Sequence, residues 1–484
     1  MSNAELKSEL TLFDVTNLVV GAIIGADIYV ASAFGAGLLG PFSLVVWVIA
    51  GIIAIVIALC FAQCAALFPK VGGSYAYAHA AWGPFVGFIV GWSLWLAEWM
   101  SLAVFPVAFT QYLMVFLPDL NLISQVLVKV LFVVFLIATN VVGVKAAGKT
   151  NDLLTIIKLA PLIFFLVIGL SYAATNAASV ATHFFPTNQP PVSFGSFGAA
   201  LVLIFWAYAG FEISTIPAEE IRDPSRTIPR AILIGISIVT IFYLATNIVL
   251  FAITPWDMLA NDKAPLASAT IAVLSSIPAL ALIGKAIVGG GALVSVAGSD
   301  ESGMIGTSRL GYALAADGLF PRVFARIHPK FKTPYIGIIV QAATALVAAI
   351  IGNLTTLIAT SVFFMAIAYV ATSASIYPLH KKGQAGHFHL RGGWLIPGLG
   401  VIFSLYLITQ CTITQIGLGL ALLLAGLPIY VKYSPKKEIT ELKEKLLSRE
   451  SIARRAQGLE ERFLAHLIYH IKRFYRKMAG KKTA

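Results

Sequence analysis

From Thr11 almost to Tyr433 the chain is a succession of apolar runs of membrane-spanning length, joined by short polar links. A helix of about 20 apolar residues crosses the hydrocarbon of a bilayer. Hydrophobic residues make up 58% of the chain and charged residues 12%, with a mean hydropathy of +0.87. Soluble domains carry about 25% charged residues. The runs lack the two-residue alternation of barrel strands, so an all-α polytopic membrane protein is expected. The first run has no small-residue cleavage site and another follows at once, which reads as a retained helix rather than a signal peptide.

The apolar pattern predicts twelve spans, near 12–38, 42–68, 85–116, 125–143, 151–174, 194–218, 229–254, 275–310, 335–352, 355–378, 395–409 and 413–433. Lys70, Lys145, Lys149, Arg222, Arg226, Arg230, Arg322, Arg326, Lys330, Lys332, Lys381, Lys382 and Arg391 then fall in links on one side, against Lys263 on the other. By the positive-inside rule both termini are cytoplasmic, in a multi-pass plasma-membrane protein. Two units follow: a membrane body, 1–434, and a tail, 435–484. After Ile429 there are 15 Lys+Arg and 6 Asp+Glu, so this end supplies +9 of the formal +12. Ile452, Leu459, Phe463, Leu467, Ile471 and Phe474 recur at roughly helical spacing among Arg454, Arg462, Lys472, Arg473 and Arg476. A basic amphipathic helix beside a membrane is expected to lie on anionic headgroups. Nucleic-acid binding is not expected of such a chain.

Within the first span, VVGAIIGADIYV (19–30) carries two glycines and a bare carboxylate. An aspartate at the centre of a membrane helix costs about 2.5–3.5 kcal/mol on insertion scales. A break at Gly25-Ala26-Asp27 is therefore expected, and a second at Ala209-Gly210-Phe211-Glu212 in the sixth span, five spans later. Corresponding interrupted helices point to a midplane site in a transporter with five-plus-five inverted repeats. Freed backbone groups are tolerated only against protein or water. The alternative for Asp27 is a buried acid neutralised by a partner on another helix.

Four stretches in order resemble the amino acid–polyamine–organocation permeases, which have the LeuT-type fold. They are GAIIGADIYV, FPKVGGSYAYAHAAWGPFVGFIVGW (68–92), FWAYAGFEISTIPAEEIRDPSRTIPRAI (205–232) and SRLGYALAADGLFP (308–321). The resemblance covers the first ten spans and implies secondary transport of an amino acid or organic amine. It places Gly21, Gly25 and Ala26, with Asp27, Ile28, Ala209 and Gly210, at the substrate site, where amides at a helix end receive a carboxylate. Trp206, Tyr208 and Phe211 match aromatic gate positions, with bundle packing as the alternative. Glu212 matches an acidic, protonatable position. Lys158 matches a lysine that stands where sodium-coupled relatives hold a cation, which implies proton coupling; its alternative is snorkelling to the cytoplasmic end.

One departure concerns Asp27, where the family usually has glycine. A carboxylate there repels a substrate carboxylate and attracts an ammonium, so cationic or amine substrates are expected. A zwitterionic amino-acid carrier with Asp27 as protonation site is the competing reading. Glu98 in the third span and one of Asp300 and Glu301 in the eighth are expected at the site, Glu301 being the one assigned there. Pairing of Glu98 or Asp300 with Lys285 or another buried donor is the alternative. A channel or substrate sensor on the same fold is the reading from another class; saturable counterflow would exclude a channel.

GVKAAGKT (143–150) fits a phosphate-loop pattern but joins two apolar spans, with no strand or nucleotide domain around it. The run GGG at 289–291 fits close helix packing. Cys60, Cys64 and Cys411 lie in apolar segments, and His380, His387 and His389 lie in a basic link. No metal, cofactor or catalytic set is expected, and the chain is not read as an enzyme.

Overall fold

The protein is described here from a computed structural model, which describes residues 10–70, 72–143, 148–215, 218, 221–381, 388 and 393–434. The basic tail, Lys145, Lys382, His387, His389 and Arg391 lie outside the described residues. Among the described residues the elements are helical, apart from an isolated parallel bridge between Leu10 and Ile221. Among the described residues, nine helical segments are long and apolar enough to cross a membrane. Each of the twelve expected intervals contains helix.

The chain opens with α1 (Leu12–Ile23), whose first turn is closed by a capping box. Thr11 N–H donates to Asp14 Oδ2 at 2.7 Å, and Thr11 Oγ1 accepts from Asp14 N–H. The helix stops at Ile24, where the backbone is extended, and restarts as α2 (Ala26–Leu39). The first break is therefore Ile24–Gly25, one residue earlier than expected. Ala26 and Asp27 belong to the first turn of α2. A short turn leads to α3 (Ser43–Leu67), then α4 (Gly73–Trp82) and α5 (Pro84–Leu113). Gly143 closes α6 (Leu122–Val142), and α7 (Gly148–Thr175) begins five residues on, so the phosphate-loop look-alike links two helices.

After α8 (Ala177–Phe184), a Ser193–Ser196 capping box starts α9 (Phe194–Phe205). Its last turn tightens to 3₁₀ at Trp206–Tyr208, opens at Ala209 and Gly210, and resumes as 3₁₀ over Phe211–Thr215. The long α10 (Pro224–Ile253) follows, then α11 (Trp256–Asn261) and α12 (Pro265–Leu274). Next, α13 (Pro278–Gly284) runs through a π turn at Lys285–Gly289 into α14 (Gly290–Ala316). The expected eighth span, 275–310, is thus an interrupted helix reaching Ala316. Gly291 faces Pro161 of α7, a contact that leaves no room for a Cβ. The chain continues as α15 (Tyr335–Ile351), α16 (Leu354–Lys381), α17 (Leu395–Thr409) and α18 (Ile413–Tyr433).

Burial separates inner from outer helices. In α5, 83% of the apolar window is buried; in α6 the share is 17%. Leu127, Leu131, Val134 and Phe135 on α6 are exposed, as a lipid-facing helix requires. The two interrupted helices, α5, α14 and α16 enclose the interior. That enclosure brings the polar groups of both breaks together.

Candidate functional site

Ending α1 at Ile23 strands its last carbonyls in an apolar interior, where each needs a donor. Neighbouring helices supply them. Lys158 of α7, 3% exposed, donates from Nζ to Gly21 O and to Ser299 Oγ, each at 3.1 Å. Ser299 Oγ in turn donates to Ile24 O at 2.9 Å, and Tyr243 OH to Ile23 O at 3.0 Å. Lys158 therefore does not snorkel. Its ammonium is spent on the carbonyl side of the first break.

The amide side of that break is met by Asp27. Its side chain is 5% exposed, and the backbone N–H groups of Gly25 and of Asp27 itself face its carboxylate. An acid in the first turn also complements the positive end of α2. Gly25 is required by space. A Cβ there would stand 2.7 Å from Ser299 Cβ and 3.3 Å from Phe105 Cε1.

At the second break, Glu212 is 4% exposed and accepts from Gly210 N–H at 3.0 Å through Oε2, and from Tyr369 OH at 3.0 Å through Oε1. Gly210 has φ +118°, and a Cβ on it would lie 2.9 Å from Ala22 O. The two breaks therefore touch backbone to backbone.

Between them lies a small cavity. Ala22 and Asp27 line it from the first interrupted helix; Trp206, Ala209, Gly210 and Ile213 line it from the second. Glu98, Ser101 and Phe105 close it from α5, Ser299 and Gly303 from α14, and Met365 from α16. Among the described residues no basic side chain lines it. Trp206 packs on Phe105 and donates from Nε1 to Ser101 Oγ at 2.8 Å. Glu98 also lines a small adjoining cavity with Gly72, Ser74, Glu212 and Thr307.

The structure brings together Asp27, Glu98, Trp206, Ala209 and Gly210 of the sequence-derived set around one cavity. Gly21, Gly25, Ala26 and Ile28 lie at or beside the break without lining it. Two aromatics serve packing. Tyr208 donates to Trp47 O at 2.9 Å and sits among Trp47 and Tyr243, while Phe211 packs on Phe61 and Tyr369. Glu301 turns away from the cavity toward Lys158, because Ser299 and Gly303 hold the inward face of α14. Glu98 and Asp300 form no ion pair with Lys285, whose ammonium lies 5.4 Å over the Phe116 ring.

Sequence reasoning missed Ser299, Ser101, Phe105 and Tyr369. One signal was available for Ser299: Ser295 and Ser299 stand four apart, on one face of an apolar helix. The other three are ordinary residues in apolar runs and carry no local mark.

The chain is similar to known proteins over most of its length. The chain is 29% identical over 456 residues to the branched-chain amino acid permease BcaP of Bacillus subtilis, covering 89% of this chain and 94% of that protein. It is 29% identical to the serine/threonine exchanger SteT of the same organism, over 89% and 98% of the two chains. It is 28% identical to the large neutral amino acids transporter small subunit 2 of Mus musculus, over 88% and 81%. Residues 10–429 match the family described as amino acid permease. An all-helical body with a buried polar cavity and a match over nearly its whole length make the chain a multi-pass membrane protein of the amino acid permease family, in the amino acid–polyamine–organocation superfamily, and not an enzyme.

Proposed function

We propose that the protein is a secondary active transporter that moves a cationic amino acid or organic amine by alternating access around the central cavity. The observation that carries this is the charge of the cavity: Asp27 and Glu98 line it and, among the described residues, no basic side chain does. In a low-dielectric enclosure a carboxylate attracts an ammonium strongly, and Glu98 adds to the pull of Asp27, on which the Lys158 ammonium also acts from behind the break. Asp27 also faces the amides to which a substrate carboxylate would otherwise bind.

In this reading Asp27 holds the substrate amine, and Trp206, tied to Ser101, closes the outer side. Glu212 and Lys158 couple the cycle to protons. The buried ammonium of Lys158 on Gly21 O supports a proton over a metal cation at that position. The chain makes twelve crossings as two inverted five-helix repeats plus two further helices, with both termini in the cytoplasm. The basic tail rests on anionic headgroups.

A second reading is favoured by the names of the relatives, which specify branched-chain, serine/threonine and large neutral amino acids. On that reading the substrate is a neutral zwitterion and Asp27 is the protonation site. Uptake into proteoliposomes separates the two. Arginine, leucine, alanine, putrescine and a monoamine are compared for wild type and Asp27→Gly, with and without an inward proton gradient. A charge-assisted contact is worth about 1.5–3 kcal/mol, so cationic substrates are expected to lead by roughly tenfold or more and to lose that lead in Asp27→Gly. Equal leucine or alanine uptake by wild type and mutant, with no cationic preference in either, refutes the cationic assignment.

A further inference from the structure

Asp300 lies in the middle of α14, outside every role assigned above. It is 1% exposed and its Oδ1 has no hydrogen-bond partner. Among the described residues no lysine or arginine comes within ion-pair distance of it. Lys285 is engaged over Phe116, and Lys158 is engaged with Gly21 O and Ser299 Oγ and faces Glu301. The surroundings are short of donors. One turn along α14, Gln341 of α15 spends its amide N–H on Met304 O at 2.9 Å, and its Oε1 is left without a partner. An ionised carboxylate in this setting is among the costliest groups a membrane protein can hold, whereas the protonated acid is neutral and gains a donor.

Among the described residues Glu98 of α5 is the acid that acts on Asp300 across the packing of α5 on α14. Glu98 Oε2 stands 3.7 Å from the position of a Cβ on Gly303, and Gly303 shares a helix face with Asp300. Glu98 forms the common wall of the central cavity and of the adjoining cavity that holds Glu212. The groups facing Glu98 from the packed elements are Asp27, Glu212, Asp300 and Tyr369, and none is basic.

We propose that Asp300 and Glu98 are a proton-sharing pair across the α5–α14 contact, with Asp300 as the store and Glu98 as the carrier that meets both cavities. In the transfer the O–H bond at Asp300 breaks and an O–H bond forms at a Glu98 carboxylate oxygen. That step keeps the pair at −1. Uptake of a second proton by the pair from the aqueous phase to which the central cavity opens makes it neutral, and release of one proton from Glu98 to water in the adjoining cavity returns it to −1, so the two acids are never ionised together. This deepens the proton-coupled reading above and rests on it.

The test uses full-length protein in liposomes containing a trapped pH-sensitive dye, with arginine or leucine added outside. Wild type is expected to acidify the lumen as substrate enters. Asp300→Asn, which keeps the shape, is expected to acidify at least tenfold more slowly while counterflow of labelled substrate at equal pH stays within about twofold of wild type. Asp300→Glu should restore part of the proton flux. Wild-type acidification by Asp300→Asn overturns the pair and leaves proton coupling standing. So does joint loss of acidification and counterflow in a variant that melts with wild type, because Asp300 then serves the transport cycle itself. A wild type that moves no protons removes the coupling reading and the pair together. If Asp300→Asn does not fold, Glu98→Gln decides: a flattened pH profile of uptake supports the pair, and an unchanged profile overturns it.

Discussion

At Ile24–Gly25 the freed carbonyls are satisfied from outside the helix, by Lys158, Ser299 and Tyr243 on three other helices. At Ala209–Gly210 the satisfaction is mostly local. Ala209 N–H donates to Trp206 O, Ser214 Oγ to Phe211 O and Thr215 Oγ1 to Glu212 O, while Glu212 itself accepts from Gly210 N–H. Both breaks turn a carboxylate toward their own amides, Asp27 in one and Glu212 in the other. The difference lies in what holds each open. The first depends on donors carried by α7, α10 and α14, so a relative movement of those helices changes it directly. The second is braced mainly by its own turn, with Tyr369 as its link to α16. A break held from outside suits a group that must respond to the rest of the bundle; a self-braced one suits a pivot.

The sharpest way to break this contrast is to add one methyl group to each break. At Gly210 the positive φ alone costs about 1–3 kcal/mol for a residue with a side chain. The new Cβ would also press 2.9 Å from the backbone oxygen of Ala22, which cannot turn aside. Gly210→Ala is therefore expected to lower stability by about 3 kcal/mol or more and to abolish uptake. At Gly25 the new Cβ stands 2.7 Å from Ser299 Cβ, but the backbone there has φ −140°, so the clash comes without the positive-φ strain of Gly210. Gly25→Ala should cost visibly less in a thermal melt in detergent. Equal losses at the two positions contradict the backbone-to-backbone contact.

Lys158→Met sharpens the same contrast with a smaller effect. It removes the charged donor to Gly21 O while Ser299 can still serve Ile24 O. Loss of a hydrogen bond to a charged group is worth about 1.5–3 kcal/mol. A drop of that order is expected, and combining it with Ser299→Ala should be non-additive because both side chains serve one break. Simple additivity in the melt would mean that the lysine and the serine act on separate features.

Much of this architecture was legible beforehand. Apolar runs of spanning length, interrupted by glycine beside an acid, have few structural solutions in lipid, so the segments and both breaks were readable. The one-residue error at Gly25 arose because an acid suits the first turn of a helix as well as a gap in one. What stayed hidden depends on contacts across the chain. Tyr369 reaches Glu212 from 157 residues away, and Trp206 reaches Ser101 from 105. The orientation of Asp300 against Glu301 was likewise undetermined, because adjacent helical residues point about 100° apart and only the placement of α14 decides which faces inward. Tyr208 and Phe211 were assigned to the gate by motif, and their neighbours Trp47, Tyr243 and Phe61 make them packing residues. The π turn at Lys285–Gly289 has no pattern that sets it apart from the α-helix on either side.

The smallest expected effect tests the second break's tie to the bundle. Tyr369→Phe deletes the donor to Glu212 Oε1 and leaves the ring to pack on Phe61 and Phe211. Glu212 keeps its bond from Gly210 N–H, so the turn itself stays closed. A hydrogen bond to a buried carboxylate contributes about 1.5–3 kcal/mol when fully lost, and here one of two remains, so a loss of about 1 kcal/mol is expected. A thermal melt in detergent, run beside those of wild type and Lys158→Met, reads the loss. A melt that falls as far as that of Lys158→Met would show the second break to be as dependent on its neighbours as the first, and the contrast between a responsive break and a self-braced pivot would be lost.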